Sequence, residues 1–552
     1  MGTTRVGRDL FVDCIVGEGV GAVFGNPGTT ELPVMEALAA RGEPPYYLGL
    51  QEIVCLGMAD GYAQATGRPA VVNLHASPGL GNAMSNLYNA WRGRTPLVVT
   101  AGQQDTRFNL QEPLLFSDLV RQASQYCKWT WEIRRADEIP AAVRRAFKEA
   151  ATPPTGPVFL SLPMDLLDGE VAGGPQPPTR LAPPGPPDPG ALEAAAGFLS
   201  DARSPVIVAG DRVDREGAKS ELAALASALG APVWNEPYSQ RLPMAPDHPL
   251  FAGFLPTLGP VIKDRLGDAD VVLIAGGEAF LMYPPFEPGS PFPDGAAVIH
   301  LDSSPQEIGR IFPVDSGMVG DLRAALGALA GAAGPGAAED RRRAVTERIG
   351  KAREQFAAAA SSDGSDPPGA GALLFALSEA WRGHIIVDET VSSAASVQRC
   401  CSHSPPSERY GHRTGGLGWG LPAALGVALA RPGERVFCLL GDGAALYAVQ
   451  GLWTAARYGL DITFVILDNS GYEIIRAGMR RQGGPAGSAG IYPGMDIDDP
   501  PIDWAALARG FGLRYAEIKD VAGAAEAASE LSAGEGPALL RAPIAPGFQF
   551  PS

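Results

Sequence analysis

The sequence predicts three α/β domains, each a doubly wound parallel sheet with helices on both faces. Three observations carry this. Short apolar runs of strand length alternate with stretches of helical spacing along the chain, the pattern of parallel strands buried on both faces. Two stretches interrupt the alternation: residues 169–190, containing GGPQPPTRLAPPGPPDPG, and residues 331–371, where GAAGPGAAED and SSDGSDPPGAG flank a short charged helix. Proline cannot continue a helix or a central strand, so both read as linkers. Finally, 45% of the 552 residues are hydrophobic and 19% charged, which supports large buried cores and excludes intrinsic disorder.

The expected domains are 1–170, 190–330 and 370–552. In the first, strands are predicted over 70–74 and 96–101 with a helix over 80–91 between them. In the second, strands over 206–209, 271–275 and 298–301 are separated by Ala- and Leu-rich helices. In the third, strands over 385–387, 436–440 and 462–467 alternate with helices over 421–429 and 446–458.

Lys and Arg total 44 against 61 Asp and Glu, a formal net charge of −17. Such a chain is a poor ligand for nucleic acid or an anionic membrane. No apolar run reaches the ~18 residues of a membrane span, and no signal peptide opens the sequence. Cys14, Cys55, Cys127, Cys400, Cys401 and Cys438 are scattered and form no CxxC pair, so packed thiols in a reducing cytoplasm are expected, the adjacent Cys400 and Cys401 included.

The chemistry concentrates between Val436 and Tyr472. An apolar strand, VFCLL, ends in Gly441–Asp442–Gly443; a second, ITFVIL, ends in Asp468–Asn469–Ser470–Gly471–Tyr472. Ligands of parallel sheets gather beyond the C-terminal strand ends. Neighbouring strands would present Asp442 and Asn469 together, a carboxylate and an amide oxygen suited to Mg²⁺ and its phosphate partners. The glycines allow close backbone approach, and the helix after Gly443 offers its N-terminus to an anion.

This GDG-to-Asn pattern resembles that of the thiamine diphosphate-dependent enzymes. Further runs in the same order, Asn26–Pro27–Gly28, Leu50–Gln51–Glu52, Asn73–Leu74–His75, GLGNAM from Gly79, TAGQQ from Thr100, Gly415–Gly416–Leu417–Gly418 and LWTAA from Leu452, resemble the benzoylformate decarboxylase branch. The resemblance implies Mg²⁺ held by Asp442, Asn469 and the carbonyl of Gly471. It implies thiamine diphosphate bound by Ser392, Gly415, Leu417, Asp442, Gly443, Ala444, Asn469 and Tyr472, with Leu417 propping the bent cofactor.

Alone, Glu52 reads as a helix-start residue that favours the dipole, and His75 as a strand-end residue. By resemblance, Glu52 binds N1′ of the aminopyrimidine and sustains its imino tautomer, His75 contacts the substrate carboxylate and relays protons, and Thr29 hydrogen-bonds that carboxylate. One departure is serious. The branch has a second catalytic histidine in the middle domain, where this chain reads FLMYPPFEPG, with Tyr283 or Pro284 in its place. That histidine helps protonate the enamine; Tyr283, His412 or water would have to replace it. Ile474, Ile475 and residues 280–286 give the expected pocket an apolar character suited to an aromatic or branched 2-oxo acid, while Glu473 faces either surface or site. The implied reaction is decarboxylation to an aldehyde and CO₂, with a carboligase of the acetolactate synthase type as the alternative. The middle domain lacks GxGxxG after its first strand, and no FAD is expected, since the closer resemblance is to a flavin-free branch. The cofactor is implied to lie between subunits of at least a homodimer, with a homotetramer expected.

Overall fold

The computed structural model describes residues 4–283, 289–333 and 338–548. Among them, three six-stranded parallel sheets form the predicted architecture. The N-terminal sheet runs Tyr46–Leu48, Val23–Gly25, Ala70–Leu74, Leu97–Gln103, Val158–Pro163, Thr130–Glu132. Numbered along the chain within the domain, that order is 2-1-3-4-6-5. The C-terminal sheet repeats it: Glu408–Gly411, Ile385–Glu389, Val436–Gly441, Ile462–Asp468, Ala538–Pro543, Arg514–Glu517. The central sheet differs, running Phe251–Phe254, Val233–Asn235, Pro205–Ala209, Val271–Ala275, Ala297–Asp302, Ser316–Val319, or 3-2-1-4-5-6.

Strands such as Ala70–Leu74, Val271–Ala275 and Ile385–Glu389 are buried at every position, including the polar Asn73, Asp388 and Glu389 at their C-terminal ends. The N- and C-terminal domains share one core, in which helix Glu52–Thr66 packs on helix Gly420–Ala430. Two glycines permit the contact. A Cβ on Gly61 would stand 2.1 Å from the carbonyl oxygen of Ala423, and one on Gly426 would stand 1.9 Å from that of Met58. Any side chain at either position would push the helices apart.

Three elements depart from the sequence reading. The helix expected over 446–458 is two pieces, Asp442–Leu446 and Gly451–Arg457. The chain turns between them, setting Gly451 where a Cβ would lie 2.4 Å from Leu421 Cδ2. Apolar residues continue across the turn, with Ala448 buried between the pieces, so apolar spacing alone does not register the break. The first linker begins with a strand, Glu170–Ala172, paired antiparallel with Thr4–Val6. The second contains no short helix but one of 24 residues, Ala338–Ser361. Arg341 of this helix donates to the carbonyls of Leu229 and Ala202, and Arg353 to those of Pro246, Asp247, His248 and Phe251.

All six cysteines are free, and burial pushes the Cys400 and Cys401 thiols up, away from the reactive thiolate. Among the described residues no helix is long and apolar enough to cross a membrane.

Candidate active site

In a sheet of order 2-1-3-4-6-5 the strand order reverses between strands 1 and 3, and a crevice opens beyond their carboxyl ends. In the N-terminal domain these strands are Val23–Gly25 and Ala70–Leu74, so the crevice is lined by the turn after Gly25 and by His75. In the C-terminal domain they are Ile385–Glu389 and Val436–Gly441, which bring the 3-10 turn Val391–Ser393, carrying Ser392, beside Asp442, Gly443 and Ala444. The two repeated topologies therefore place most of the expected site residues at two switch points.

His75 caps helix Ala76–Arg92. Its Nδ1 lies 2.8 Å from Glu31 Oε2 and 3.2 Å from Thr30 Oγ1. Glu31 is fully buried and also accepts from the N–H of Gly28 (2.9 Å), from Thr30 Oγ1 (2.8 Å) and from the N–H of Gly102 (2.8 Å). With two backbone N–H groups and the Thr30 hydroxyl also donating to Glu31, Nδ1 of His75 is the ring nitrogen held on the carboxylate, and Nε2 is left facing the crevice. Gly28 is required here, because a Cβ would stand 2.1 Å from His75 Nδ1. Thr29 is exposed at the start of the turn, above the buried Thr30. The sequence reading missed Glu31. Its trace is a glutamate three residues after a turn glycine, the spacing by which a capping-box side chain returns to a backbone N–H.

Glu52 opens helix Glu52–Thr66 and is 7% exposed. Its Oε2 accepts from Asn82 Nδ2 at 3.0 Å, and a Cβ on Gly79 would stand 3.1 Å from its Oε1. The carboxyl thus has one fixed partner and glycine-width clearance beside it.

On the C-terminal sheet, the N–H of Gly471 lies 3.2 Å from both Asp442 Oδ2 and Asn469 Oδ1. One donor therefore holds the two expected ligand oxygens side by side. Burial pushes the Asp442 carboxyl up to about 6, and the Asp468 carboxylate beside it adds to the rise. A buried carboxylate pair of this kind is relieved by a cation. Among the described residues no group of three or more His, Cys, Asp or Glu side chains is placed to hold a metal. The set that fits one is mixed: the Asp442 carboxylate, the Asn469 amide oxygen and the Gly471 carbonyl. The Tyr472 ring covers Gly443, where a Cβ would stand 2.6 Å from Cε1.

Gly415 is exposed and Leu417 half-buried. The turn that carries them is pinned to the N-terminal domain. Asn89 Nδ2 donates to the Gly416 carbonyl at 2.8 Å, and Asn86 Nδ2 donates to those of Gly418 (3.1 Å) and Ile53 (2.8 Å). These asparagines also escaped the sequence reading, although two buried amides three residues apart on an otherwise apolar helix face are a visible signal.

The remaining pocket candidates divide. Glu473 is buried and ion-paired with Arg480 at 2.5 Å and Arg476 at 3.8 Å. Ile474 is half-buried and Ile475 exposed. Phe280 is buried against Phe292 with ring centroids 5.4 Å apart, as core rather than pocket wall. Tyr283 is exposed, while Pro284 and Phe286 lie outside the described residues. His412 stacks on Trp419, its Nδ1 is buried without a partner, and burial lowers it to about 4, so it is neutral near pH 7.

Comparison with known proteins agrees with this geometry. The family models for thiamine pyrophosphate enzymes match residues 5–122 as the N-terminal TPP binding domain, 192–329 as the central domain and 391–542 as the C-terminal TPP binding domain. The chain is 34% identical over 508 residues to a benzoylformate decarboxylase of Pseudomonas aeruginosa, covering 90% of each. It is 26% identical to an acetolactate synthase large subunit of Parasynechococcus marenigrum over 94% of this chain and 84% of that one. The crystal structure of benzoylformate decarboxylase from Polynucleobacter necessarius superposes with a TM-score of 0.88 at 27% identity, covering 99% of both chains. A thiamine diphosphate-dependent 4-hydroxybenzoylformate decarboxylase of Rhodococcus jostii RHA1 gives 0.83 at 31% identity, covering 98% of this chain and 99% of that one. With both switch points lined as they are and all three family models matched in order, the chain belongs to the thiamine pyrophosphate enzyme family.

Proposed function

We propose that this protein is a non-oxidative 2-oxo acid decarboxylase that converts an aromatic or branched, benzoylformate-like substrate to an aldehyde and CO₂. The observation that carries the reading is His75 held on buried Glu31 at the mouth of the N-terminal crevice, in a chain similar to two benzoylformate decarboxylases and a 4-hydroxybenzoylformate decarboxylase.

Thiamine diphosphate, when bound, supplies the carbon nucleophile and the electron sink for loss of the carboxylate. Glu52 holds and exchanges a proton at N1′ of its aminopyrimidine. Asp442, Asn469 and the Gly471 carbonyl hold Mg²⁺; Ser392, Gly443, Ala444 and Tyr472 receive the diphosphate; Gly415 and Leu417 fix the ring end. His75 presents Nε2 to the substrate carboxylate and moves a proton there, and the Thr29 hydroxyl hydrogen-bonds the same group. Ile474 and Ile475 favour an apolar side chain over a charged one.

The functional unit is at least a homodimer, with two active sites shared between two chains and paired again into a tetramer. Leu110 (92% exposed), Leu114 (83%) and Phe108 lie bare in the single chain, as do Tyr447 and Ile475. Apolar groups at this exposure mark a surface that a second chain covers. The six free thiols fit a reducing cytoplasm.

The second reading, a carboligase, is favoured by one observation. Tyr283 is exposed and His412 is half-buried, with burial lowering it to about 4, so neither stands ready as the acid that aldehyde release needs, which favours ligation to an acceptor aldehyde. A panel of 2-oxo acids with and without acceptor aldehydes, analysed by mass spectrometry, separates the two. Asp442→Ala is expected to abolish cofactor retention; full activity after chelation and cofactor removal refutes both readings.

A further inference from the structure

The central sheet reverses its strand order between Pro205–Ala209 and Val271–Ala275. The crevice beyond these two ends is where doubly wound sheets of this order bind dinucleotides. Its walls are Gly210–Asp211 and Gly276–Gly277–Glu278, so close that a Cβ on Gly210 would stand 2.4 Å from Gly277 Cα. Arg413 of the C-terminal domain reaches into it, beside a cavity of about 410 Å³ lined by Asp211, Glu236, Gly276, Glu278 and Arg413. The Arg413 guanidinium lies 2.9 Å from Asp211, 2.7 Å from Glu236 and 3.6 Å from Glu278, and each of these side chains is at most 8% exposed. From the N-terminal domain, Arg94 reaches Glu278 at 3.6 Å and Glu307 at 2.8 Å. Three carboxylates here would repel a diphosphate, and the cation that neutralises them belongs to the chain itself.

Arg413 stands two residues before Gly415. On its other side the same turn is tied to the N-terminal domain: Thr414 bonds Asn89, Asn89 bonds the Gly416 carbonyl, and Asn86 bonds that of Gly418. The turn is thus clamped between two domains, with Arg413 as the anchor on the central side.

We propose that Arg413 is a positioning residue: ion-paired at the central-domain crevice, it fixes the turn that presents Gly415 and Leu417 to the cofactor. The role rests on the functional reading above.

The test uses the full-length protein with thiamine diphosphate and Mg²⁺. Arg413→Met alone leaves buried Asp211 and Glu236 without their ion-pair partner and threatens the fold, while Glu278 keeps Arg94 and Arg310. This variant is therefore compared with Arg413→Lys and with the triple variant Arg413→Met, Glu236→Gln, Glu278→Gln, which removes two of the partners' charges along with the cation. Thermal unfolding, thiamine diphosphate affinity from protein fluorescence, and kcat at saturating cofactor are measured for each. The folded triple variant is expected to lose roughly tenfold or more in affinity or kcat, and Arg413→Lys to retain more of both. Wild-type affinity and kcat in the folded triple variant overturn the positioning role alone. A wild-type chain that binds no thiamine diphosphate overturns the functional reading, and the role with it.

Discussion

Replacing Glu31 with glutamine tests the dyad at the N-terminal crevice. The carboxylate accepts four bonds: Oε2 from the N–H of Gly28 and from His75 Nδ1, Oε1 from Thr30 Oγ1 and from the N–H of Gly102. Each oxygen therefore faces one backbone N–H that cannot turn away. Glutamine has one acceptor oxygen, so its NH₂ must meet one of those donors and leave it orphaned. A buried orphan costs about 1–3 kcal/mol, and loss of charge from the remaining bonds adds about 1 kcal/mol, giving a destabilisation of about 2–4 kcal/mol. If the NH₂ takes the Oε2 side, it donates to Nδ1 and drives the imidazole proton to Nε2, inverting the tautomer that faces substrate. Urea unfolding measures the first effect. NMR of ¹⁵N-labelled histidine reads the tautomer, and turnover per folded molecule is expected to fall at least roughly tenfold. A Glu31→Gln protein with wild-type stability, tautomer and turnover would refute the argument.

His75→Ala should lower turnover of benzoylformate roughly 10²-fold with little change in melting; a loss of stability at constant turnover makes His75 a structural cap. Glu52→Gln and Asp442→Ala homodimers should both be inactive, while verified mixed dimers, one of whose sites carries neither lesion, should regain about half the wild-type activity; silent mixed dimers with both chains folded contradict a shared site. His412 is lowered by burial to about 4 against 6.5 for the free side chain. The unfolded chain then takes up the proton first as pH falls, so the stability contribution is full above pH 6.5 and lost toward pH 4. His412→Phe, which keeps a ring against Trp419, should remove up to about 1.4 kcal/mol per pH unit from the slope in that window, and equal slopes would place a titrating His412 outside the buried stack.

The strands were legible because burial on both faces writes them as unbroken apolar runs: Val271–Ala275 is observed at the bounds its composition predicts. Asp442 and Asn469 were legible because they follow such strands directly. What escaped depends on contacts between distant segments. Glu31 acts through His75, 44 residues away, and Asn89 through Gly416, 327 residues away. Spacing along one element carries no trace of either partner. Arg413 looked like one more charge beside a glycine motif, since its three carboxylates come from separate strand ends of another domain. The break at Tyr447–Gln450 was invisible for the opposite reason: buried apolar residues, Ala445, Ala448 and Leu452, run through it at helical spacing.

The 24-residue helix Ala338–Ser361 spans about 36 Å at the helical rise. With Arg341 and Arg353 stapled to carbonyls of the central domain, it is a splint rather than a tether. The proline-rich stretch after Ala172 is mostly exposed coil and offers a protease extended chain. Limited digestion should therefore nick the molecule on the N-terminal side of the central domain and leave helix Ala338–Ser361 whole, with the N-terminal domain still held to the C-terminal one by their shared core.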